Sequence, residues 1–228
     1  MSQPLVIITG ASSGIGEGIA KLFSQSGYNL ALLARNVKAM NNLKLPNAMC
    51  IETDVTDIKA VTQAITQAQE QFGPVDCLIN NAGYGKGGEF TEITHADHET
   101  MVKVNLLGVM NCLEAVLPSM QAKKSGTIIN ISSVADRSVR PQLAIYAATK
   151  AAVKNLTESL RVANAKYGIR VCNVAPAKIQ TPLMIRANLS ADQIISVEDA
   201  AKAILWIYQQ PKTVCIRDLV IAPTYYEP

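Results

Sequence analysis

The chain alternates short runs of mainly β-branched and aliphatic residues with longer segments whose apolar residues recur at helical spacing. Seven such runs are present, at Leu5–Thr9, Asn29–Leu33, Ala48–Glu52, Val75–Ile79, Thr127–Ile131, Arg170–Val174 and Leu219–Ile221. Because successive side chains of a strand point to opposite faces, a run that is apolar throughout predicts a strand buried on both faces. Such strands, alternating with helices, form right-handed crossovers. The pattern therefore predicts an α/β fold with a doubly wound, seven-stranded parallel sheet.

The segments between the runs predict amphipathic helices, of which two are longer than the rest, at about Asp97–Gln121 and about Ile145–Tyr167. No linker rich in Pro, Gly or Ser divides the 228 residues, and a single α/β domain often reaches this length. We therefore expect one Rossmann-type domain over 1–228.

Composition and charge limit the partners and the compartment. The formal net charge is only +3 and the basic residues are scattered, so nucleic acid is not indicated as a partner. The apolar run Leu5–Ile8 is too short for a signal core or a membrane span, so neither export nor a membrane partner is expected. The five cysteines are far apart and form no CxxC pair. This usage predicts free thiols in a reducing cytoplasm.

A glycine-rich stretch, Thr9-Gly10-Ala11-Ser12-Ser13-Gly14-Ile15-Gly16, follows the first run and opens the first predicted helix. Glycine allows a sharp turn and close approach of backbone N–H groups to an anion, and a helix N-terminus favours negative charge. The position between strand and helix predicts a pyrophosphate site with contacts from Gly10, Ser12, Ser13, Gly14, Ile15 and Gly16. The alternative is a tight turn that binds nothing.

The spacing Thr-Gly-x-x-x-Gly-x-Gly of this turn resembles the short-chain dehydrogenase/reductase family. Other family motifs follow in order, and the likeness covers nearly the whole chain, weakening after about Met184. The resemblance implies a nicotinamide-dependent oxidoreductase. Within the single domain it implies a cofactor half at about 1–95, a catalytic half at about 96–182, and a short substrate lid and C-terminal part at about 183–228. It places an adenine contact at Asp54 and Val55, and it places Asn81, Ala82 and Gly83, within Asn80-Asn81-Ala82-Gly83, beside the cofactor.

The residues after the second run predict which dinucleotide is preferred. A carboxylate there would bond the adenine ribose of NAD and repel the extra phosphate of NADP. The chain instead has Ala34-Arg35-Asn36, and an arginine can meet a phosphate through two charge-assisted hydrogen bonds. NADP(H) is therefore the predicted cofactor, with Arg35 and Asn36 at its phosphate. The alternative is that Arg35 is a solvated charge at the strand end.

Tyr146 and Lys150 lie one helical turn apart in the predicted long helix. A phenol has a pKa of about 10, and a nearby ammonium lowers it toward the working range of an acid–base catalyst. Taken alone, the pair is more typical of a tyrosine that packs as an amphipathic anchor. The family resemblance implies instead that Tyr146 is the catalytic acid–base. It also gives Lys150 contacts with the nicotinamide ribose.

The resemblance implies two further catalytic residues. Ser133, with Ser132 the less favoured choice, follows the fifth run and would hydrogen-bond the substrate oxygen. Asn105, in the first long helix, would hold a water that connects Lys150 to solvent. Without the resemblance, the serines are also typical of a strand-end turn, and a buried Asn is typical of a structural hydrogen-bonding role.

The loop after the sixth run, Pro176-Ala177-Lys178-Ile179-Gln180-Thr181, departs from the family's Pro-Gly. The resemblance implies cofactor contacts from Pro176, Ile179 and Thr181. Ala177 adopts positive φ less readily than glycine, so the expected backbone of this loop differs from that of the family.

The substrate is expected to contact 134–143, 84–90 and the segment after Thr181, where a short lid (Pro182 to about Ser196) predicts a small or open pocket. The C-terminal tail is more similar to the branch of the family that acts on serine, 3-hydroxy acids and other small alcohols. Lys178, Arg186 and Arg137 are candidate carboxylate anchors, and each taken singly is also typical of solvated surface charge.

The sequence also allows three other functional interpretations and predicts an oligomeric state. The pair His95 and His98 invites a metal site, but no third ligand is evident, so no metal is expected. The fold could serve a non-catalytic NADP-binding regulator, or an epimerase or dehydratase of the extended relatives. Small and apolar residues on the two long helices, with the resemblance, imply a homodimer or homotetramer through a four-helix bundle; they are Gly108, Cys112, Ala115, Ala148, Ala152 and Leu156.

Overall fold

The computed structural model describes residues 3–180 and 193–226. In that part of the chain seven strands form one sheet: β1 (Leu5–Thr9), β2 (Asn29–Ala34), β3 (Ala48–Glu52), β4 (Val75–Asn80), β5 (Gly126–Ile131), β6 (Ile169–Pro176) and β7 (Asp218–Ile221). Their order is β3-β2-β1-β4-β5-β6-β7, and every neighbouring pair is parallel. The predicted doubly wound parallel sheet is confirmed, and each predicted run falls inside its strand.

Helices connect the strands on both faces of the sheet. They are α1 (Gly14–Gln25), α2 (Val37–Asn41), α3 (Ile58–Phe72), α4 (His95–Val102), α5 (Gly108–Lys123), α6 (Ala144–Asn164) and α7 (Val197–Gln209). A single π turn, Lys103–Leu107, joins α4 to α5 without a break. The first predicted long helix is therefore three consecutive helical pieces, and the second is α6 followed by a short 3₁₀ turn, Ala165–Tyr167.

The helix ends follow local side-chain chemistry. Asp57 caps α3 because its Oδ1 accepts hydrogen bonds from two N–H groups of the first turn. Gly73 ends the same helix at a φ of 87°, in the left-handed region that glycine adopts without strain. Ser196 caps α7, where acidic residues in the first turn suit the positive end of the helix dipole.

Alternate residues of the strands pack into two separate core layers. Ile7 and its neighbours on one face pack against α3, α5 and α6, whereas Ile8 and its neighbours on the other face pack against α1 and α7. Both faces of the central strands are thus covered, which is why those strands are largely apolar.

Two details of packing correct the sequence-based expectations. Gly108 and Cys112 face the core rather than an outer surface, because a Cβ at Gly108 would lie 2.6 Å from Val55 Cγ2 and Cys112 is buried. The apolar stretch Ile204–Ile207 predicts that Trp206 packs in the core with Ile204 and Ile207; those two are buried, but Trp206 is 51% exposed.

The continuous helical stretch 95–123 is long and apolar enough, by length and composition, to cross a membrane. In this fold it is a core helix. Its residues Met101, Val109, Val116 and Met120 are buried, and the last three belong to the core layer shared with α3 and the sheet.

Candidate active site

The predicted site residues follow the carboxyl ends of strands β1 to β6. Parallel strands bring these ends to one edge, and β1 and β4 are neighbours in the sheet although the chain leaves them toward opposite sides. Such a switch point opens a crevice at the carboxyl edge, where open α/β sheets bind ligands. The topology therefore gathers the predicted cofactor and catalytic residues at one crevice.

The turn after β1 is built from glycines that no other residue could replace without movement. Gly10 and Gly14 have φ values of 66° and 56°, in the region that side chains disfavour. A Cβ at Gly16 would lie 2.3 Å from the Gly10 carbonyl oxygen. The turn and the start of α1 are thus in direct backbone contact.

The same turn is fastened to the end of β4. The Asn81 side-chain amide donates to the Thr9 carbonyl at 3.0 Å, and the Thr9 hydroxyl accepts from the N–H groups of Asn81 and Ala82 at 3.0 Å each. Sequence reasoning did not give Thr9 this role; its position directly before the glycine turn was the available signal. These bonds fix the distance between the predicted phosphate turn and the predicted nicotinamide border.

The geometry of the turn fits a dinucleotide pyrophosphate. Within the described chain Ser13, the residue before α1, makes no side-chain cap bond to the helix. The first-turn N–H groups are therefore left without a side-chain partner at the positive end of the helix dipole, which is an anion site. Ser12 and Ile15 are half-buried in this turn, and Ser13 is exposed.

At the end of β2, Arg35 is exposed, and Asn36 caps α2 by accepting a bond from the Ala39 N–H at 3.0 Å. The pKa of Asp54 is below its usual value: burial raises it, but hydrogen bonds from the Thr56 N–H and hydroxyl and the charge of Arg35 lower it further. Arg35 and Asp54 thus lie near one another, where the adenosine end was predicted.

Val55 forms the floor beside this region. It is buried, and its carbonyl accepts a hydrogen bond from the Asn111 side chain on α5 at 2.8 Å. Asn111 was not predicted as part of the site, and an Asn within an apolar helix gave the only signal for it.

Tyr146 and Lys150 lie on the first turns of α6 beside Ser133. The Lys150 Nζ is 5.7 Å from the centre of the Tyr146 ring and donates to the Ile131 carbonyl at 2.9 Å. Burial lowers the pKa of Lys150 to about 8, while the charge of Asp136 raises it. The expectation that the neighbouring ammonium brings the pKa of Tyr146 below its usual value is wrong: that pKa is raised, mainly by burial and further by Asp136, although a hydrogen bond with Ser133 lowers it. Three of the predicted catalytic side chains are therefore in contact range.

The two serines after β5 have different surroundings. Ser132 is buried, and its hydroxyl donates to Asp136 Oδ2 at 2.6 Å. Ser133 is half-buried, caps the following 3₁₀ turn through the Ala135 N–H, and is the serine that hydrogen-bonds Tyr146. Ser133 is therefore the serine in contact with Tyr146, and its catalytic role stays a prediction.

Asn105 lies in the π turn and is fully buried. Its side-chain amide donates to the Tyr84 carbonyl at 2.9 Å and to the Thr149 hydroxyl at 3.0 Å, and its Oδ1 accepts from the Tyr84 N–H at 2.8 Å. Single π turns within α-helices occur frequently at functional sites. Asn105 thus fastens the loop after β4 to α6.

Gly83 brings Asn105 and Lys150 together. A Cβ built on Gly83 would lie 3.5 Å from Asn105 Oδ1 and 3.6 Å from Lys150 Nζ. These two polar atoms therefore border the same small space. Both residues of the predicted proton relay, Asn105 and Lys150, therefore border this space. The relay itself stays a prediction.

The loop after β4 also packs on Tyr146 directly. A Cβ at Gly85 would lie 3.2 Å from Tyr146 Cδ2, and the Gly88 N–H donates to the Gln142 carbonyl at 2.9 Å. The stretches 84–90 and 134–143, both predicted to contact substrate, thus meet beside the tyrosine.

The loop after β6 adopts ordinary backbone geometry. Among the described non-glycine residues with positive φ, Ala177 does not appear, and its N–H donates to the Ile221 carbonyl at 2.8 Å. Pro176 ends β6, and Ile179 is buried and bridges to Ile195. The loop therefore does not need a glycine at position 177, and whether its backbone differs from that of the family stays a prediction. Thr181 lies outside the described residues.

Two of the three candidate carboxylate anchors, Arg137 and Lys178, lie in the described part of the chain. Arg137 is committed to two aspartates, pairing with Asp136 at 2.6 Å and with Asp218 at 2.8 Å, so its guanidinium is not free for a substrate and that suggestion is wrong. Lys178 lies over the Tyr226 ring, 5.7 Å from its centre. Arg186 lies outside the described residues.

The histidine pair has local packing roles. His98 stacks on Phe90 with 4.8 Å between ring centres, and His95 begins α4. Within residues 3–180 and 193–226 no group of three His, Cys, Asp or Glu side chains is placed to hold a metal ion.

Comparison with known proteins places this arrangement in a family. The model of the short chain dehydrogenase family matches residues 4–192. An uncharacterized oxidoreductase of Staphylococcus aureus strain MW2 is 33% identical over 227 residues, which cover 98% of each chain. The chain belongs to the short-chain dehydrogenase family and is an oxidoreductase of that class.

Solved structures agree over the full length. The closed form of serine dehydrogenase complexed with NADP⁺ has 28% identity and a TM-score of 0.92, covering 98% of this chain and 96% of that one. A 3-ketoacyl-(acyl-carrier-protein) reductase from Brucella melitensis complexed with NADH has 27% identity and a TM-score of 0.91, with 98% of each chain covered. The predicted family and the likeness to serine dehydrogenase are confirmed. Because the two neighbours hold different dinucleotides, family membership alone leaves the choice between them open.

Proposed function

We propose that the protein is an NADP(H)-dependent oxidoreductase that exchanges a hydride with a small carbonyl compound or secondary alcohol. Serine-like compounds and 3-hydroxy acids are the first candidate substrates. The observation that carries this proposal is the meeting of Ser133, Tyr146 and Lys150 at the carboxyl edge, with Asn105 buried beside them.

The residues divide the proposed chemistry as follows. The bound nicotinamide would supply or accept the hydride. Tyr146 donates its phenolic proton to the substrate oxygen in reduction and removes it in oxidation. Ser133 hydrogen-bonds the same oxygen and holds it near Tyr146, and Lys150 binds the nicotinamide ribose. Burial raises the pKa of Tyr146, so the phenol is protonated near neutral pH, as an acid for carbonyl reduction must be.

Arg35 supports the choice of NADP(H) over NAD(H). It is exposed at the end of β2, where a carboxylate would be needed for the adenine ribose of NAD. An exposed guanidinium is available for bidentate contact with a phosphate. Gly10, Gly14 and Gly16 would hold the pyrophosphate, and Asn81, Ala82 and Gly83 would border the nicotinamide half.

Oxidation of NADPH, followed by its absorbance with a panel of small aldehydes, ketones and 2- and 3-oxo acids, tests this function. We expect turnover with oxo acids or small ketones, and faster turnover with NADPH than with NADH. Equal or faster turnover with NADH would contradict the role of Arg35. Tight NADPH binding without turnover of any carbonyl or alcohol would favour the non-catalytic regulator instead.

We also propose a homodimer or homotetramer. Leu107 and Met110 are exposed in the π turn and on α5, and the exposed side of α6 carries small residues such as Ala148 and Ala151. Such a surface suits helix packing against a second copy. Light scattering should give a mass at least twice that of the chain; a strict monomer at all concentrations would contradict the proposal.

The five thiols are free, which supports a reducing cytoplasm as the compartment.

A further inference from the structure

Asp136 is a buried charge directly behind the proposed catalytic residues. It ends the 3₁₀ turn Val134–Asp136 after β5, and its side chain has no exposed surface. Burying a carboxylate is costly unless it is paired and hydrogen-bonded. Four partners are present: the Ser132 hydroxyl at 2.6 Å, Arg137 Nε at 2.6 Å, Arg137 Nη2 at 3.1 Å and the Asn173 amide at 3.2 Å.

The first of these partners connects Asp136 to the catalytic serine. Ser132 precedes Ser133 in the chain, and its hydroxyl lies between Asp136 and the Val174 carbonyl on β6, which it approaches to 3.2 Å. With Ser132 held at its side chain, the backbone that carries Ser133 is held as well. Asp136 therefore acts on the orientation of Ser133 through Ser132.

The other partners form a rigid outer support. Arg137 reaches from Asp136 to β7, where it pairs with both oxygens of Asp218 at 2.8 and 2.9 Å. The Asn173 amide donates to both Asp136 and Asp218. The bidentate pairing is geometrically specific, so the carboxylate of Asp136 has one defined position.

The charges that face Asp136 come from three elements. Arg137 is in its own turn, Asp218 lies beyond Arg137 on β7, and Lys154 of α6 approaches to 4.0 Å. The neighbouring strands contribute only the neutral Ser132 and Asn173. One turn before Lys154, the Lys150 ammonium has its pKa raised by Asp136 against the effect of burial, and the pKa of Tyr146 is raised by the same carboxylate.

We propose that Asp136 is a positioning residue for the oxidoreductase chemistry, one that orients Ser133 through Ser132 and fixes a negative charge against α6, the helix that carries Tyr146 and Lys150. In the proposed mechanism it contacts neither the substrate oxygen nor the hydride carbon. This inference rests on the function proposed above, and nothing in the family match assigns a role to this residue.

Asp136→Asn tests the charge while nearly preserving shape. In carbonyl reduction Tyr146 must be protonated, so kcat/KM falls as pH rises through its pKa. Removing the negative charge should lower that pKa and move the alkaline limb of the profile to lower pH by at least about half a unit. Ser132→Ala is the matched control: it removes the hydrogen bond but keeps the carboxylate. It should lower kcat and leave the alkaline limb in place.

A second readout needs no turnover. In protein carrying ¹³C-labelled lysine, the NMR signal of Lys150, assigned by its loss in Lys150→Arg, should titrate at lower pH in Asp136→Asn than in the wild type. If Asp136→Asn does not fold, Asp218→Asn takes its place, because Asp218 is partly exposed. Without the Asp218 carboxylate, Arg137 would neutralise the charge of Asp136 more fully. The expected shift has the same direction and is smaller.

An unchanged Lys150 titration and an unchanged alkaline limb in folded Asp136→Asn would overturn the proposal. An equal shift in Ser132→Ala would overturn the charge role, since geometry alone would then explain it. The wild-type protein could reduce no carbonyl while the NMR titration of Lys150 still shifts in Asp136→Asn. That result would contradict the proposed function and uphold the coupling between Asp136 and Lys150.

Discussion

Replacing Tyr146 with Phe should lower kcat for carbonyl reduction by about two to four orders of magnitude, the usual contribution of a positioned acid–base group. The change removes only the phenolic oxygen, so the packing of Gly85 against the ring is kept. Rapid kinetics with NADPH measure kcat, and nucleotide fluorescence measures binding. We expect the dissociation constant of NADPH to change little, because Lys150 and the glycine turn remain.

Tyr167→Phe is the matched control for this variant. Tyr167 lies in the 3₁₀ turn Ala165–Tyr167, before β6 and therefore at the opposite edge of the sheet from Tyr146. Loss of its hydroxyl should leave kcat unchanged. Wild-type turnover in Tyr146→Phe would end the assignment of this tyrosine as the acid–base group.

Replacing Arg35 with Glu should reverse the dinucleotide preference. Hydrogen bonds to charged groups contribute about 1.5–3 kcal/mol each, and every 1.4 kcal/mol is about tenfold in affinity. Losing the arginine and adding like-charge repulsion should therefore raise KM for NADPH by about 100-fold or more, with KM for NADH unchanged or lower. Steady-state kinetics with both dinucleotides give the ratio.

Two further variants separate the causes. Arg35→Gln removes the positive charge without adding a negative one, so its preference should lie between those of the wild type and Arg35→Glu. Lys166→Gln removes an exposed charge at the opposite edge of the sheet and should not affect either dinucleotide. A wild-type ratio of the two KM values in Arg35→Glu would show that the phosphate is bound elsewhere.

The sheet could be predicted closely from sequence because burial on both faces leaves a strand little choice of residue. Leu5–Thr9, which is buried at every position, was predicted with its observed bounds. The orientation of helical side chains was less predictable. Gly108 and Cys112 were predicted to lie on an outer surface. Which side of a helix packs against the sheet depends on the rotation of the helix about its axis, and in the structure Val55 fills the space beside Gly108.

The residues of the candidate site were named mainly through the family resemblance, and the strand order brings the loops that carry them to one edge of the sheet. What the sequence lacks is the pairing between distant residues. Arg137 seemed available for a substrate carboxylate because its partner Asp218 is far away in the chain and reaches it only when β7 pairs with β6. Asp136 was missed for the same reason.

The π turn Lys103–Leu107 had no detectable signal in the sequence. A residue of an α-helix advances about 100° around the axis, so a wider turn changes the angular phase of everything that follows it. The angular phase of α5 therefore differs from that of α4. The π turn holds Asn105 against Tyr84, whereas α5 presents Met110 to solvent. Deleting a single residue from this turn would change the angle between α4 and the buried side of α5 by about 100° around the helix axis, so Asn105 and the buried residues of α5 could not all keep their present neighbours.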